Sequence, residues 1–233
     1  MDLTALVADD PDPALRLGKP HRYRYLLPGN WIGLDPSPAR SAATIRRAVE
    51  ARVRRFPALA PYRRTLHQLL RHAVNQAIAK RAVALALLSE PVGEAVVSAS
   101  MTIMLGPGIP FTSGGYLNHP EQVAAYLSRQ VPAGQVDNGR REVGVVPLSQ
   151  QRAVRTRTDL MVTDESSGLE LAAHGVEYLV PVPGTAGLLT MAFSTPCLPA
   201  ADALATLFDA VAGTFYWEWD GADTLPGHLL GDT

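Results

Sequence analysis

Residues 175–182 (GVEYLVPV) and 188–194 (LLTMAFS) are strand-length apolar runs separated only by Pro183, Gly184, Thr185, Ala186 and Gly187. A connection that short cannot carry a crossover helix, so the two strands must pair antiparallel around a Pro-Gly turn. The residues that follow narrow the choice again. Leu204, Leu207, Phe208, Val211 and Phe215 recur at helical spacing and place one apolar stripe on an amphipathic helix. A hairpin followed directly by such a helix needs a sheet for the helix to cover.

Upstream, residues 23–27 (YRYLL) alternate and break at Pro28 and Gly29, which reads as a first strand and turn. Trp31 and Ile32 continue it as a short extended piece. Ile45, Val49, Val53 and Phe56 share one stripe of a helix over 38–56, with Ser37 as its cap, Pro38 at its first position and Pro57 as its stop. Pro61 opens a second helix with Tyr62, Leu66, Leu69, Leu70, Ala73 and Ala77 on its apolar face. Residues 82–88 and 95–105 read as strands joined by a hairpin-length turn over 89–94. A Gly/Pro-rich loop over 106–118 leads to a short helix over 120–130. Two further strands follow at 142–148 and 152–163. In the second, Val154, Thr156 and Thr158 alternate with Arg155 and Arg157.

Strands in sequence joined by turns, with helices early, midway and at the end, predict an α+β fold. The expected arrangement is a single antiparallel β-sheet of five to seven strands flanked by helices, an α/β/α sandwich. At 233 residues and 47% hydrophobic, the chain can bury a core without disulfide or metal support. It shows neither an internal repeat nor a long linker. It therefore reads as one domain over 1–233, with 1–20 an extended lead-in and 221–233 a frayed acidic tail.

The closing stretch VEYLVPVPGTAGLLTMAFSTP with the helix ADALATLFDAVAGTFYW, and the opening YRYLLPGNWIGL, resemble actinobacterial PsbP-like (Mog-type) α/β/α sandwich proteins related to the mycobacterial LpqN family. The resemblance implies the same fold and little chemistry. Members of that group are small non-catalytic binding or accessory proteins, some similar to proteins found beside type VII secretion genes. No catalytic residue carries over. The chain departs from LpqN in lacking a signal sequence and a lipobox cysteine.

Charge is distributed unevenly. Residues 38–81 hold eleven Lys/Arg against one acid, Glu50, whereas after Arg157 there are eleven Asp/Glu and no Lys or Arg. The helical pair is thus expected to present a basic outer surface. Arg46, Arg47, Arg54, Arg55 and Arg64 are the candidate partner-binding residues, facing an acidic protein or a second copy of the chain. Two bland explanations compete: the arginine stems pack over apolar surface, or the acidic C-terminal third neutralises them.

Other chemistry finds little support. Neither G-x-S-x-G nor S-x-x-K occurs, and the single cysteine, Cys197, reads as a small hydrophobe. His67 and His72 would lie about 140° apart on a helix and cannot share a ligand face. Gly106-Pro107-Gly108 lacks the third glycine of a dinucleotide loop, and its proline removes an N–H that would hold phosphate. Asp164 and Glu165 lie in a polar turn. No cofactor, metal or catalytic site is expected. The acidic start, without a basic and apolar leader, predicts a cytoplasmic protein with no transmembrane segment. The function expected is a non-enzymatic binding or accessory module. The alternatives are an enzyme with a pocket of dispersed residues, and an anionic-surface or nucleic-acid binder through the basic hairpin.

Overall fold

The computed structural model describes residues 20, 22–93, 95–110, 116–130, 132, 134–136, 139–163 and 170–219. Its elements run β1 (Arg22–Arg24), β2 (Ile32–Leu34), α1 (Ser41–Arg55), α2 (Arg63–Ala79), β3 (Ala82–Val92), β4 (Ala95–Pro107), β5 (Ile109–Pro110), β6 (Tyr116–Leu117) and α3 (Pro120–Leu127). They continue as β7 (Arg141–Pro147), β8 (Arg152–Thr163), β9 (Glu170–Pro181), β10 (Gly187–Thr195), α4 (Ala201–Gly213) and β11 (Tyr216–Glu218). Seven strands make one antiparallel sheet in the order β2-β3-β4-β10-β9-β8-β7, with β1-β11 and β5-β6 as separate two-stranded ribbons. The fold is the α+β sandwich with an antiparallel sheet that the sequence predicts.

The defining hairpin forms as read. β9 and β10 pair from Leu188 opposite Pro181 to Thr195 opposite His174. The Thr185 N–H donates to the Val182 carbonyl at 3.2 Å, and Gly184 takes φ +67° at the position where a side chain would be strained. β10 then lies between β9 and β4 at the centre of the sheet.

Strand alternation sorts the two faces. On one, Met101, Ile103, Val176, Tyr178, Val180, Leu189, Met191 and Phe193 meet Leu204, Phe208 and Val211 of α4. The Phe193 and Phe208 rings stack at 4.7 Å between centroids, with Trp31 edge-on to both at 6.3 and 6.4 Å. On the other face, α1 and α2 cover the β2-β3 end through Ile45, Val49, Val53, Val74 and Leu85. There α3 covers the opposite end through Val123, packed on Val154 and Leu188.

Several boundaries differ from the sequence reading. β3 and β4 run on until Val92 pairs with Ala95, so the ladder extends into the expected 89–94 turn, with Gly93 at φ +61°. α1 begins at Ser41 after a turn that contains Pro38, and Arg40, not Ser37, holds the N-cap position. Pro61 falls inside a short 3₁₀ stretch, Pro57–Tyr62, and α2 starts only after it. Tyr62 and Leu69 are exposed, because the stripe of α2 that reaches the core is the narrower one of Val74 and Ala77, with Leu66, Leu70 and Ala73 half-buried. β4 extends into the expected loop as far as Pro107, and α3 stops at Leu127. Apart from Pro20, the expected lead-in and acidic tail lie outside the described residues, as do Asp164 and Glu165.

Phe208 is fully buried against Phe193. Phe208→Ala is expected to lower stability by about 3–5 kcal/mol in urea or guanidinium unfolding, the usual loss for a buried phenylalanine. A loss below about 1 kcal/mol would mean that α4 does not close this core.

Candidate functional site

α1 carries four of the five candidate arginines, with Arg64 on α2, and its seating decides where those four point. Ile45, Ala48, Val49 and Val53 face inward. Arg52 lies in that same arc and is only 14% exposed. It donates to the Ser89 carbonyl and, at 3.1 Å, to Glu90 Oε1, tying α1 to β3. Arg55 reaches the other Glu90 oxygen at 3.2 Å. The Arg52 and Arg55 guanidinium groups also lie over the Phe56 ring, at 4.4 and 5.1 Å from its centroid. Glu90 therefore serves two arginines from a strand that the sequence places far from α1.

With that face fixed, the other residues fan out. At about 100° per residue, Arg46 and Arg55 stand about 180° apart on the α1 wheel, while Arg47 and Arg54 share the crest between them. The structure thus divides the expected surface into two grooves. Arg46 lines a groove of about 610 Å³ between α1 and α2, with Arg63, Arg64, His67 and Arg71. Arg47 and Arg55 line one of about 400 Å³ between α1 and β2, beside Thr44, Ala48, Ala51 and residues 29–33. Arg54 lines neither and is exposed. Arg63 pairs with Glu50 at 2.6 Å, and Arg40 with Asp35 at 3.0 Å. Among the described residues, no acid lies within ion-pair distance of Arg46, Arg47, Arg54, Arg64 or Arg71.

Four of the six described C-terminal acids, Asp159, Asp202, Asp209 and Glu218, are engaged elsewhere. Asp209 on α4 takes Arg155 of β8 in a bidentate pair at 2.7 and 3.0 Å and also accepts the Tyr178 hydroxyl. Burial, together with that hydrogen bond, raises the Tyr178 pKa and keeps it a donor. Asp202 accepts from Arg157 at 2.6 Å and from Arg140. Glu218 holds Arg24 at 2.8 Å. Asp159 holds Nδ1 of the buried His174 at 2.7 Å, and Arg157 Nε donates to the other ring nitrogen at 3.3 Å. Internal neutralisation of the hairpin by these acids does not occur. Arg155 and Arg157, expected only as the polar side of a strand, instead lie under α4.

Among the described residues, no three His, Cys, Asp or Glu side chains group in a way that could hold a metal ion, and no helix is long and apolar enough to cross a membrane. Cys197 is half-buried, its sulfur between the Ser98 N–H and the Val96 carbonyl, both at 3.5 Å.

Fold and surface together define an α+β sandwich with a basic helical hairpin on one face. Among solved structures the chain is similar to LpqN, involved in cell envelope biogenesis of Mycobacterium tuberculosis. The two share 12% identity and a TM-score of 0.42 over 89% of this chain and 87% of that one. No family model and no curated protein matches the chain.

Hydrogen bonds from Arg140 and then Arg157 hold the Asp202 carboxyl at about 2, below its ordinary 3.8. A carboxyl whose pKa falls on folding contributes stability above its unfolded value and loses it as pH drops through the folded one. Asp202→Asn is therefore expected to lower stability at neutral pH, and its deficit should close as pH falls from 3.8 to about 2. Urea unfolding of parent and variant across that range measures this, and a deficit that persists undiminished at the acid end would contradict it.

Proposed function

We propose that the chain, acting as one domain in the cytoplasm, is a non-enzymatic binding or accessory module that receives an acidic protein segment on the α1-α2 hairpin. The supporting observation is a set of five exposed arginines, Arg46, Arg47, Arg54, Arg64 and Arg71, with no acid partner among the described residues. Like charges gathered on one small helical unit repel. A partner that brings carboxylates relieves that repulsion and is steered to the surface by it. The arginines are divided between two grooves, with Glu50 and Glu90 among them. That break argues against the unbroken cationic track of a nucleic-acid binder. The resemblance of the sequence to PsbP-like accessory proteins supports the same reading, with a type VII secretion locus as its setting.

The test is the binding of a fluorescein-labelled, glutamate-rich peptide, followed by anisotropy at low and physiological salt. Binding should weaken as salt rises, since exposed charges are screened beyond about 8–10 Å at physiological salt. Replacing Arg46, Arg47, Arg54 and Arg64 together by Ser should weaken it about tenfold or more. Equal binding by the variant would refute the proposal. Tighter, salt-sensitive binding of a single-stranded oligonucleotide would favour the nucleic-acid alternative.

A further inference from the structure

We infer that the groove between α1 and β2 takes an acidic, extended segment of a protein partner as an added strand on β2. This deepens the reading above and rests on it. The two walls of the groove have the right form. One is the continuous stretch 29–33, which leads into β2 and includes its first two residues; among the described residues β2 is the terminal strand of the sheet. The other is a single stripe of α1: Thr44, Arg47, Ala48, Ala51, Arg52 and Arg55, spaced three and four residues apart. A terminal strand leaves one side of its backbone without a ladder partner. Gly33 is exposed at that edge, and among the described residues nothing lies within 4 Å of where its Cβ would stand. The edge at the far end is protected differently, by Pro147 at the end of β7 and by α3 packed against that strand.

Dimensions and charge favour an extended, acidic occupant. The α1 wall from Thr44 to Arg55 is about 16 Å long at 1.5 Å per residue, close to the reach of five residues of strand. Arg47 and Arg55 are about 12 Å apart along that axis, which suits acidic side chains about four residues apart on one face of an added strand. Between them the helix presents Ala48, Ala51 and Arg52, the last drawn onto Ser89 and Glu90 of β3, which leaves room for a backbone. Backbone pairing with β2 would supply the affinity common to strand addition, and the two arginines would select the acidic sequence.

The experiment uses the whole chain and a fluorescein-labelled octapeptide of alternating threonine and valine carrying two glutamates four residues apart. Anisotropy gives its affinity for the parent and for Ala51→Phe, which plugs the groove from an exposed helix position and keeps every arginine. The same peptide with alternate backbone nitrogens methylated keeps its charge but cannot pair as a strand. Both changes should weaken binding about tenfold or more. Bound peptide should also slow deuterium exchange over residues 30–34. If both changes leave affinity intact, strand addition is wrong while the acidic-partner reading stands. If neither this octapeptide nor the glutamate-rich peptide binds the parent, the acidic-partner reading itself fails.

Discussion

The pairing of α4 with β8 is the interaction on which the rest of the surface depends. Asp202 and Asp209 are seven residues apart on α4, about two turns, so they leave the helix on the same side. Arg155 and Arg157 are two residues apart on β8 and leave the sheet on the same face. The two acids meet the two arginines, which are only 16% and 13% exposed. Removing either carboxylate would leave a poorly hydrated cation beneath the helix. The same contacts set the register of α4 over the aromatic core of Phe193, Phe208 and Trp31. They also occupy two acids that would otherwise be free to balance the arginines of α1 and α2.

The opposite face has its own anchor. Glu90 binds Arg52 and Arg55 from β3 and fixes the rotation of α1. Rotation determines which arginines meet solvent and which groove each one lines. A hairpin held only by apolar contacts would leave that angle looser, since hydrophobic burial has little directionality. Here a half-buried ion pair with a carbonyl contact supplies the direction.

The sheet was legible because its signals are local. The Pro-Gly turn and the alternation on both sides of it specify the β9-β10 pair, and the Leu204–Phe208–Val211 spacing specifies α4. Residues 89–94 were harder: Pro91 suggested a turn, yet it pairs with Val96 near the end of the hairpin, where a missing N–H is tolerated. The apolar face of α2 is narrower than its periodicity implies, because periodicity cannot say how much of a stripe the core accepts, and Leu69 remains in solvent. The arginines of residues 38–81 were visible as a charge cluster. Their division into two grooves was not, since it depends on Glu90, 38 residues from Arg52 in the chain. The fate of the C-terminal acids was equally hidden, because Arg155 and Arg157 look like the solvent side of an ordinary strand.

Asp202 and Asp209 are held by the sheet arginines Arg157 and Arg155, while Arg46, Arg47, Arg54, Arg64 and Arg71 of the hairpin stay exposed. Arginine modification of the native protein with phenylglyoxal, followed site by site by mass spectrometry, tests this directly. Arg46, Arg47, Arg54, Arg64 and Arg71 should react quickly, and Arg52, Arg155 and Arg157 should be protected until the protein is unfolded. Protection of the hairpin set together with rapid labelling of Arg155 and Arg157 would contradict the account.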